Sequence, residues 1–276
     1  MIVIGEFNTL KVIRQADQGM YLGEIPEETV LLPNRYIPKG LDIDDTIEVF
    51  VYGDSENRPI ATTLRPKVTL NQFGVLKVLS VGNYGAFMDW GIAKDLLVPF
   101  SEQKHRLEVG ENHVVYLYMD AESDRLTGST HIGKHLMTAI VTVKEGQEVD
   151  LMVYEISEIG VSVIINQVHK GLIFNEDIFQ PIEIGDQMKG YIKRIREDQK
   201  IDVSLQPFGY SKVEPNAQII LDYIKKRKGF INITDKTDPD TIYKELKMSK
   251  KLFKKSIGAL YKQKLIRLEE DGIYLV

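Results

Sequence analysis

Val75-Leu76-Lys77-Val78-Leu79, Tyr84-Gly85-Ala86-Phe87-Met88-Asp89, Leu96-Leu97-Val98, Val114-Val115-Tyr116-Leu117-Tyr118-Met119 and Arg125-Leu126-Thr127-Gly128-Ser129 follow one another within residues 75–129. Each is a short apolar or alternating segment, and turn residues separate them. Gly82-Asn83 and Gly85 punctuate the first pair, and Asp120-Ala121-Glu122-Ser123-Asp124 the last. Short strands between Gly, Asn and Asp clusters, with no long helical period, predict a small closed barrel. At this size the five-stranded OB-type barrel is the expected solution.

Working outward, the same frame recurs. A shift of 66 residues lays Phe7 on Phe73, Leu10-Lys11-Val12 on Leu76-Lys77-Val78, and Gly19 on Gly85. It also lays Leu31-Leu32-Pro33 on Leu97-Val98-Pro99 and Asp54 on Asp120, without a gap. In the other direction a shift of 75 lays Gly85 on Gly160, Leu97 on Leu172, Gly110 on Gly185 and Ser129 on Ser204. A fixed period of this length marks a duplicated structural unit. Three units over residues 1–65, 66–138 and 139–206 are expected, the second being the clearest.

After residue 206 the pattern changes. Residues 207–214 read as a linker and 215–276 as a small α+β domain. Ile219, Ile220, Tyr223 and Ile224 lie on one face of a first helix, which Gly229 ends. Asp238-Pro239-Asp240 starts a second helix, with Asp238 as N-cap, and Ser249 caps a third that runs to about Gln263. Leu265–Leu268 and Ile273–Val276 flank Glu269-Glu270-Asp271-Gly272 as a two-stranded ribbon. Three helices and a ribbon predict a winged helix-turn-helix. The whole chain is therefore expected to be mainly β, three tandem five-stranded OB-like barrels followed by a winged helix.

Charge is divided along the chain. Residues 211–276 hold 15 Lys and Arg against 9 Asp and Glu, a net of +6, while the remainder holds 20 against 31, a net of −11. The third helix of the basic domain is two-faced. Leu252, Phe253, Ile257 and Leu260 form one side, and Lys250, Lys251, Lys254, Lys255 and Lys262 the other. Those lysines are candidate phosphate contacts. The exposed arc has no Arg, Asn or Gln for bidentate reading of bases, and the wing tip is acidic, so sequence-specific duplex DNA recognition is the less favoured reading.

Other classes are excluded or unsupported. There is no cysteine, hence no disulfide and no thiolate metal site. The hydrophobic content of 43% is that of a globular protein. No basic segment followed by an apolar run opens the sequence, so no signal peptide is expected, and a cytoplasmic location fits. No run reaches the length of a membrane span. His131 and His135 lack further ligands at metal spacing, and no phosphate-binding glycine loop or nucleophile motif occurs. No catalysis, cofactor or metal is expected.

The segment Val81-Gly82-Asn83-Tyr84-Gly85-Ala86-Phe87-Met88 resembles the aromatic-Gly-Ala-Phe signature of S1-type RNA-binding domains. Leu97-Val98-Pro99-Phe100-Ser101-Glu102, Val109-Gly110, and Asp120 followed by Arg125 continue in that family's order. The resemblance implies an RNA-facing surface of two aromatics, a third-strand histidine, an Asp and an Arg. Tyr84, Phe87, Asp120 and Arg125 match, whereas Pro99 stands at the histidine position. Exposed rings would stack on the faces of unpaired bases with little sequence preference. The residue pattern also admits the plainer alternative that Tyr84 and Phe87 pack a core.

In the first unit Tyr21 takes the place of Phe87 and Gln18 that of Tyr84. In the third, Ile159 and Ser162 occupy the aromatic positions, leaving Phe174, at the position of Pro99, as its candidate stacking ring. The order of three S1-like units and a winged helix, with the run Met248–Ile266, resembles the conserved virulence factor B family of bacterial RNA-binding proteins. That resemblance implies a cytoplasmic RNA-binding protein without catalytic activity that influences gene expression, and the stacking surface makes single-stranded RNA its expected ligand. A DNA-binding regulator and a protein-interaction scaffold remain the alternatives, with protein partners undefined.

Overall fold

Fifteen strands in three groups of five, then three helices and three short strands, make up the fold, described here from a computed structural model covering residues 1–25, 27–137, 140–207 and 215–276. The first group is β1 (Phe7–Ala16), β2 (Gly19–Ile25), β3 (Glu28–Pro33), β4 (Thr46–Gly53) and β5 (Pro59–Thr62). The second is β6 (Phe73–Val81), β7 (Gly85–Met88), β8 (Leu96–Pro99), β9 (Asn112–Asp120) and β10 (Arg125–Ser129). The third is β11 (Glu148–Ser157), β12 (Gly160–Ile165), β13 (His169–Phe174), β14 (Gln187–Ile195) and β15 (Ile201–Ser204).

The three groups share one topology. In the first and third, the third strand pairs in parallel with the fifth, Leu31 against Ile60 and Gly171 against Ile201, and the barrels close. The second departs from this expectation. Its sheet runs β10-β9-β6-β7-β8, and no ladder joins β8 to β10. The strand order is that of the other two, and β8 and β10 lie side by side without a ladder, a Cβ at Gly128 meeting the Val98 and Leu96 side chains at 2.8 and 3.1 Å.

The repeat survives because particular backbone geometries require it. Each unit has a bulge at the same point of its first strand, at Val12/Arg14, Val78/Ser80 and Val153/Glu155. Such a bulge sharpens the coil that lets one long strand join two sheet halves. The glycine opening each second strand lies against the backbone of the third. A Cβ at Gly19, Gly85 or Gly160 would sit 2.0, 2.2 or 2.1 Å from the carbonyl oxygen of Leu32, Val98 or Ile173. No side chain fits there.

The units share cores at their junctions. Phe50 and Tyr52 from β4 pack into the same buried cluster as Leu76, Met88, Leu96 and Leu117 of the second unit. Trp90, 1% exposed, sits between them, edge-on to Phe50 at 5.5 Å and to Tyr52 at 6.1 Å. Its indole Nε1 donates to the Val68 carbonyl at 2.8 Å. The second and third units meet through Phe73, Val114, Ile132, Leu136, Met152 and Ile164. Gln167 adds two hydrogen bonds to the Phe73 backbone, at 2.7 and 3.2 Å.

The linker expected at 207–214 lies, from residue 208 on, outside the described residues. Beyond it come α1 (Pro215–Lys226), β16 (Phe230–Ile231), α2 (Pro239–Leu246), α3 (Lys250–Lys262), β17 (Ile266–Leu268) and β18 (Ile273–Leu275). Asp238 caps α2 by accepting from the Asp240 and Thr241 amides, and Ser249 caps α3 by accepting from Leu252. The ribbon has three strands where two are expected, because Phe230 and Ile231 pair with Tyr274 and Ile273. A two-residue strand carries no period that a sequence can display. Phe253, Ile257 and Leu260 of α3 close the core against Ile220, Ile224 and Ile242.

Candidate nucleic-acid interface

Strand alternation decides which side chains of the second unit face outward. Ala86 and Met88 of β7 are buried, so Phe87 between them points out beside its cross-strand partner Leu97. On β9, Val115 and Leu117 are buried and Tyr116 and Tyr118 are turned outward. The register of β10 against β9 places Arg125 opposite Asp120 and Thr127 opposite Tyr118. Phe87, Leu97, Pro99, Tyr118, Asp120 and Arg125 line a cleft of about 560 Å³.

Tyr84 stands on the β6–β7 turn, 77% exposed, and its carbonyl accepts from the Phe100 amide at 3.1 Å. It is therefore not a core residue. Phe87 is half-buried, and a Cβ at Gly82 would lie 3.2 Å from its ring, so glycine leaves the ring its seat. Both rings present area to solvent, which is the condition for stacking.

The arginines distinguish the three units. Arg58 holds Asp54 through Nε at 2.9 Å and through its terminal nitrogen at 2.7 Å. Arg196 holds Asp202 at 3.1 and 2.7 Å. Arg125 has no carboxylate partner among the described residues. Its strand neighbour Asp120 instead accepts from the amide and hydroxyl of Ser123, which hold that carboxyl below the ordinary range. By the repeat shifts the positions equivalent to Arg125 are Pro59 and Lys200, and Lys200 pairs with Asp198 at 2.7 Å, so of these last-hairpin cations Arg125 is the one without a carboxylate among the described residues.

The other expected stacking rings are partly covered. Arg14 lies 3.5 Å over the Tyr21 ring, whose hydroxyl accepts from Gln18. Arg196 lies 5.5 Å over Phe174. At the third unit's remaining platform positions, Ile159 is exposed and Ser162 is buried. The structure brings Phe87, Asp120 and Arg125 into one cleft, leaves Tyr84 exposed on the turn before β7 and outside the cleft lining, and leaves Tyr21 and Phe174 on separate barrels.

Sequence reasoning missed Tyr118 and Lys94. Tyr118 was discoverable from the in–out alternation of Val115, Tyr116, Leu117 and Tyr118. Lys94 carries no such signal. Its half-buried ammonium donates to the Gly53 and Asp54 carbonyls at 2.7 and 3.0 Å, tying the first unit to the cleft wall. Burial, and then the neighbouring charge of Arg125, lower its pKa.

His135 stacks on Tyr116 at 4.2 Å and on Tyr118 at 5.5 Å, and its buried Nε2 has no partner. Burial holds its pKa below the ordinary 6.5, with Lys134 and His131 acting in the same sense and Glu102 opposing them. The unfolded chain therefore takes up the proton first. Stability from this group is full above pH about 6.5 and declines as the pH falls below it. The melting temperature is expected to fall more steeply between pH 7 and 5 in wild type than in His135→Phe, which keeps the stack. Equal slopes would refute this.

On α3, Lys251, Lys254, Lys255 and Lys262 are exposed and Lys250 is half-buried. Lys254 reaches Asp235 at 3.5 Å, and Lys250 donates to the Lys236 carbonyl at 3.4 Å. A Cβ at Gly258 would meet nothing within 4 Å, so that face is open.

With this geometry in place, similarity to known proteins extends over nearly the whole chain. The CvfB-like winged helix domain family matches residues 218–275, and the S1 domain family matches residues 4–64. Both are nucleic-acid-binding types of domain rather than enzyme families. The uncharacterized protein YitL of Bacillus subtilis is 27% identical over 98% of this chain and 93% of its own length. Conserved virulence factor B of Staphylococcus epidermidis is 23% identical over 99% of this chain and 95% of its own. A crystal structure of a multidomain protein with nucleic acid binding domains from Streptococcus pneumoniae is 24% identical. It covers 99% of this chain and 98% of its own, with a TM-score of 0.48.

Proposed function

Because this chain belongs to the conserved virulence factor B family, we propose that it is a non-enzymatic, cytoplasmic protein that binds single-stranded RNA and acts on gene expression after transcription. The second unit is its principal site. Bases stack on Tyr84 and Phe87 and enter the cleft past Tyr118, and Arg125 and Asp120 supply polar contacts to them. The lysines of α3 add contacts to phosphate. Tyr21 and Phe174 contribute weaker platforms on the first and third units, and the three S1-like units and the winged helix act as one linked array.

The observation that carries this reading is the cleft of the second unit. It sets the outward Phe87 and Tyr118 rings beside Arg125, which no carboxylate holds among the described residues. Five carboxylates line the cleft (Asp95, Glu102, Asp120, Glu122 and Asp124) against Lys94 and Arg125. That balance repels phosphate and accepts hydrogen bonds from the amino groups of bases, so bases rather than backbone belong there. Single strands offer free bases and duplex DNA does not.

The test is fluorescence anisotropy of a labelled single-stranded RNA of about 20 nucleotides, with competitors. Unlabelled single-stranded RNA is expected to displace the label and duplex DNA to do so poorly. The reverse order would favour a DNA-binding winged helix, and no binding at low salt would favour a protein-interaction scaffold. In the same assay Lys250→Ala/Lys254→Ala/Lys255→Ala is expected to flatten the log–log salt dependence by about two units, at about 0.7 per single-strand phosphate. An unchanged slope removes α3 from the interface.

A further inference from the structure

A second depression, of about 590 Å³, lies between the second and third barrels. Its character is opposite to that of the cleft. Lys104, Lys134 and Lys170 line it with His105, His113 and His131, and Glu155 is the one carboxylate among its lining residues. Lys104 neutralises that carboxylate at 2.5 Å. Lys134 and Lys170 have no ion-pair partner among the described residues. The floor is apolar where Ile156 and Ile184 lie about half exposed.

A short strap of chain runs between the cleft and the groove. Glu102 lines the cleft, and Lys104 and Thr130 line the groove. The Thr130 amide and hydroxyl donate to the Glu102 carbonyl at 2.9 and 3.2 Å, and the Lys104 amide donates to the Thr130 hydroxyl at 2.8 Å. The shared core at the second junction fixes both walls of the groove relative to the cleft.

We propose that the groove between the second and third barrels takes the phosphodiester backbone of the strand whose bases lie in the cleft. This rests on the RNA-binding reading of the second unit. A strand whose bases sit among carboxylates needs its phosphates placed elsewhere, and the adjoining groove has cations to receive them. Lys134 and Lys170 are point charges for phosphate. The imidazoles of His105 and His131 donate a hydrogen bond in either protonation state. The isoleucine floor gives a ribose or a base an apolar seat. The ligand is thus a single strand longer than the cleft alone accommodates, its polarity divided between two adjacent surfaces.

The experiment uses the full chain and two oligoribonucleotides, of about 6 and about 20 nucleotides. The shorter lies within the range one OB barrel holds, and the longer exceeds it. Lys134→Gln/Lys170→Gln is expected to weaken the 20-mer and to reduce its log–log salt slope by about 1.4, two phosphates' worth, while leaving the 6-mer unchanged. An unchanged 20-mer slope with normal 6-mer binding would place the groove off the path and leave the cleft reading standing. Equal weakening of both lengths would also overturn the proposal, since the substitutions would then act on the cleft. A wild type that binds neither length removes the RNA reading and this proposal together.

Discussion

Tyr84→Ala/Phe87→Ala is expected to weaken binding of single-stranded RNA by about 2–5 kcal/mol, with the protein still folded. Each base stacked on an aromatic ring contributes about 1–3 kcal/mol, and both rings present area on the outer surface of the second unit. The folded state tolerates the change for different reasons at the two sites. Tyr84 is 77% exposed and its hydroxyl makes none of the described hydrogen bonds, so its removal exposes little and orphans nothing. Phe87 rests on Gly82 at the outer surface, away from the cluster of Leu76, Met88 and Leu96. The check is anisotropy beside a circular dichroism melt. Lost binding in a variant with an unchanged melt locates the site. Lost binding together with a collapsed melt means that the rings hold the fold, and unchanged binding rejects the platform.

The second large effect concerns stability. Trp90→Ala is expected to cost about 3–5 kcal/mol, the range for truncating a large buried aromatic. Three losses combine. The ring leaves a cavity between Phe50, Tyr52 and the second unit's core, and two edge-on aromatic contacts disappear. The Val68 carbonyl also loses its indole donor. Because Phe50 and Tyr52 belong to the first barrel but pack in the second unit's cluster, the two units should lose stability together. Urea unfolding followed by circular dichroism checks the magnitude. In wild type the fluorescence of Trp90, the only tryptophan of the chain, reports on this junction directly. A shift worth less than about 1 kcal/mol would mean that the junction repacks around the missing ring.

Much of the candidate site was legible, but unequally. Tyr84, Phe87, Asp120 and Arg125 could be read because a turn, a strand and a hairpin place them by local geometry. Tyr84 proved exposed and Phe87 half-buried, so the alternative of core packing does not hold for Tyr84. The lysine face of α3 was legible for the same reason, since a helix repeats every 3.6 residues whatever surrounds it. Trp90 was not. It follows β7 in sequence with no period to place it, and its burial depends on Phe50 and Tyr52, which lie in another unit.

By itself, the sequence determined the three-fold duplication, the strand and helix order and the two-faced α3. These follow from periodicities of two and 3.6 and from glycines whose backbone admits no side chain. The tertiary structure alone decided that no ladder joins β8 to β10, that Arg58 and Arg196 are held while Arg125 is not, and that the units share cores. It also placed the cationic groove beside an acidic cleft. These features join residues tens of positions apart, and they depend on how closely whole barrels approach. The local pattern that sets a strand's inward and outward faces holds no information about that distance.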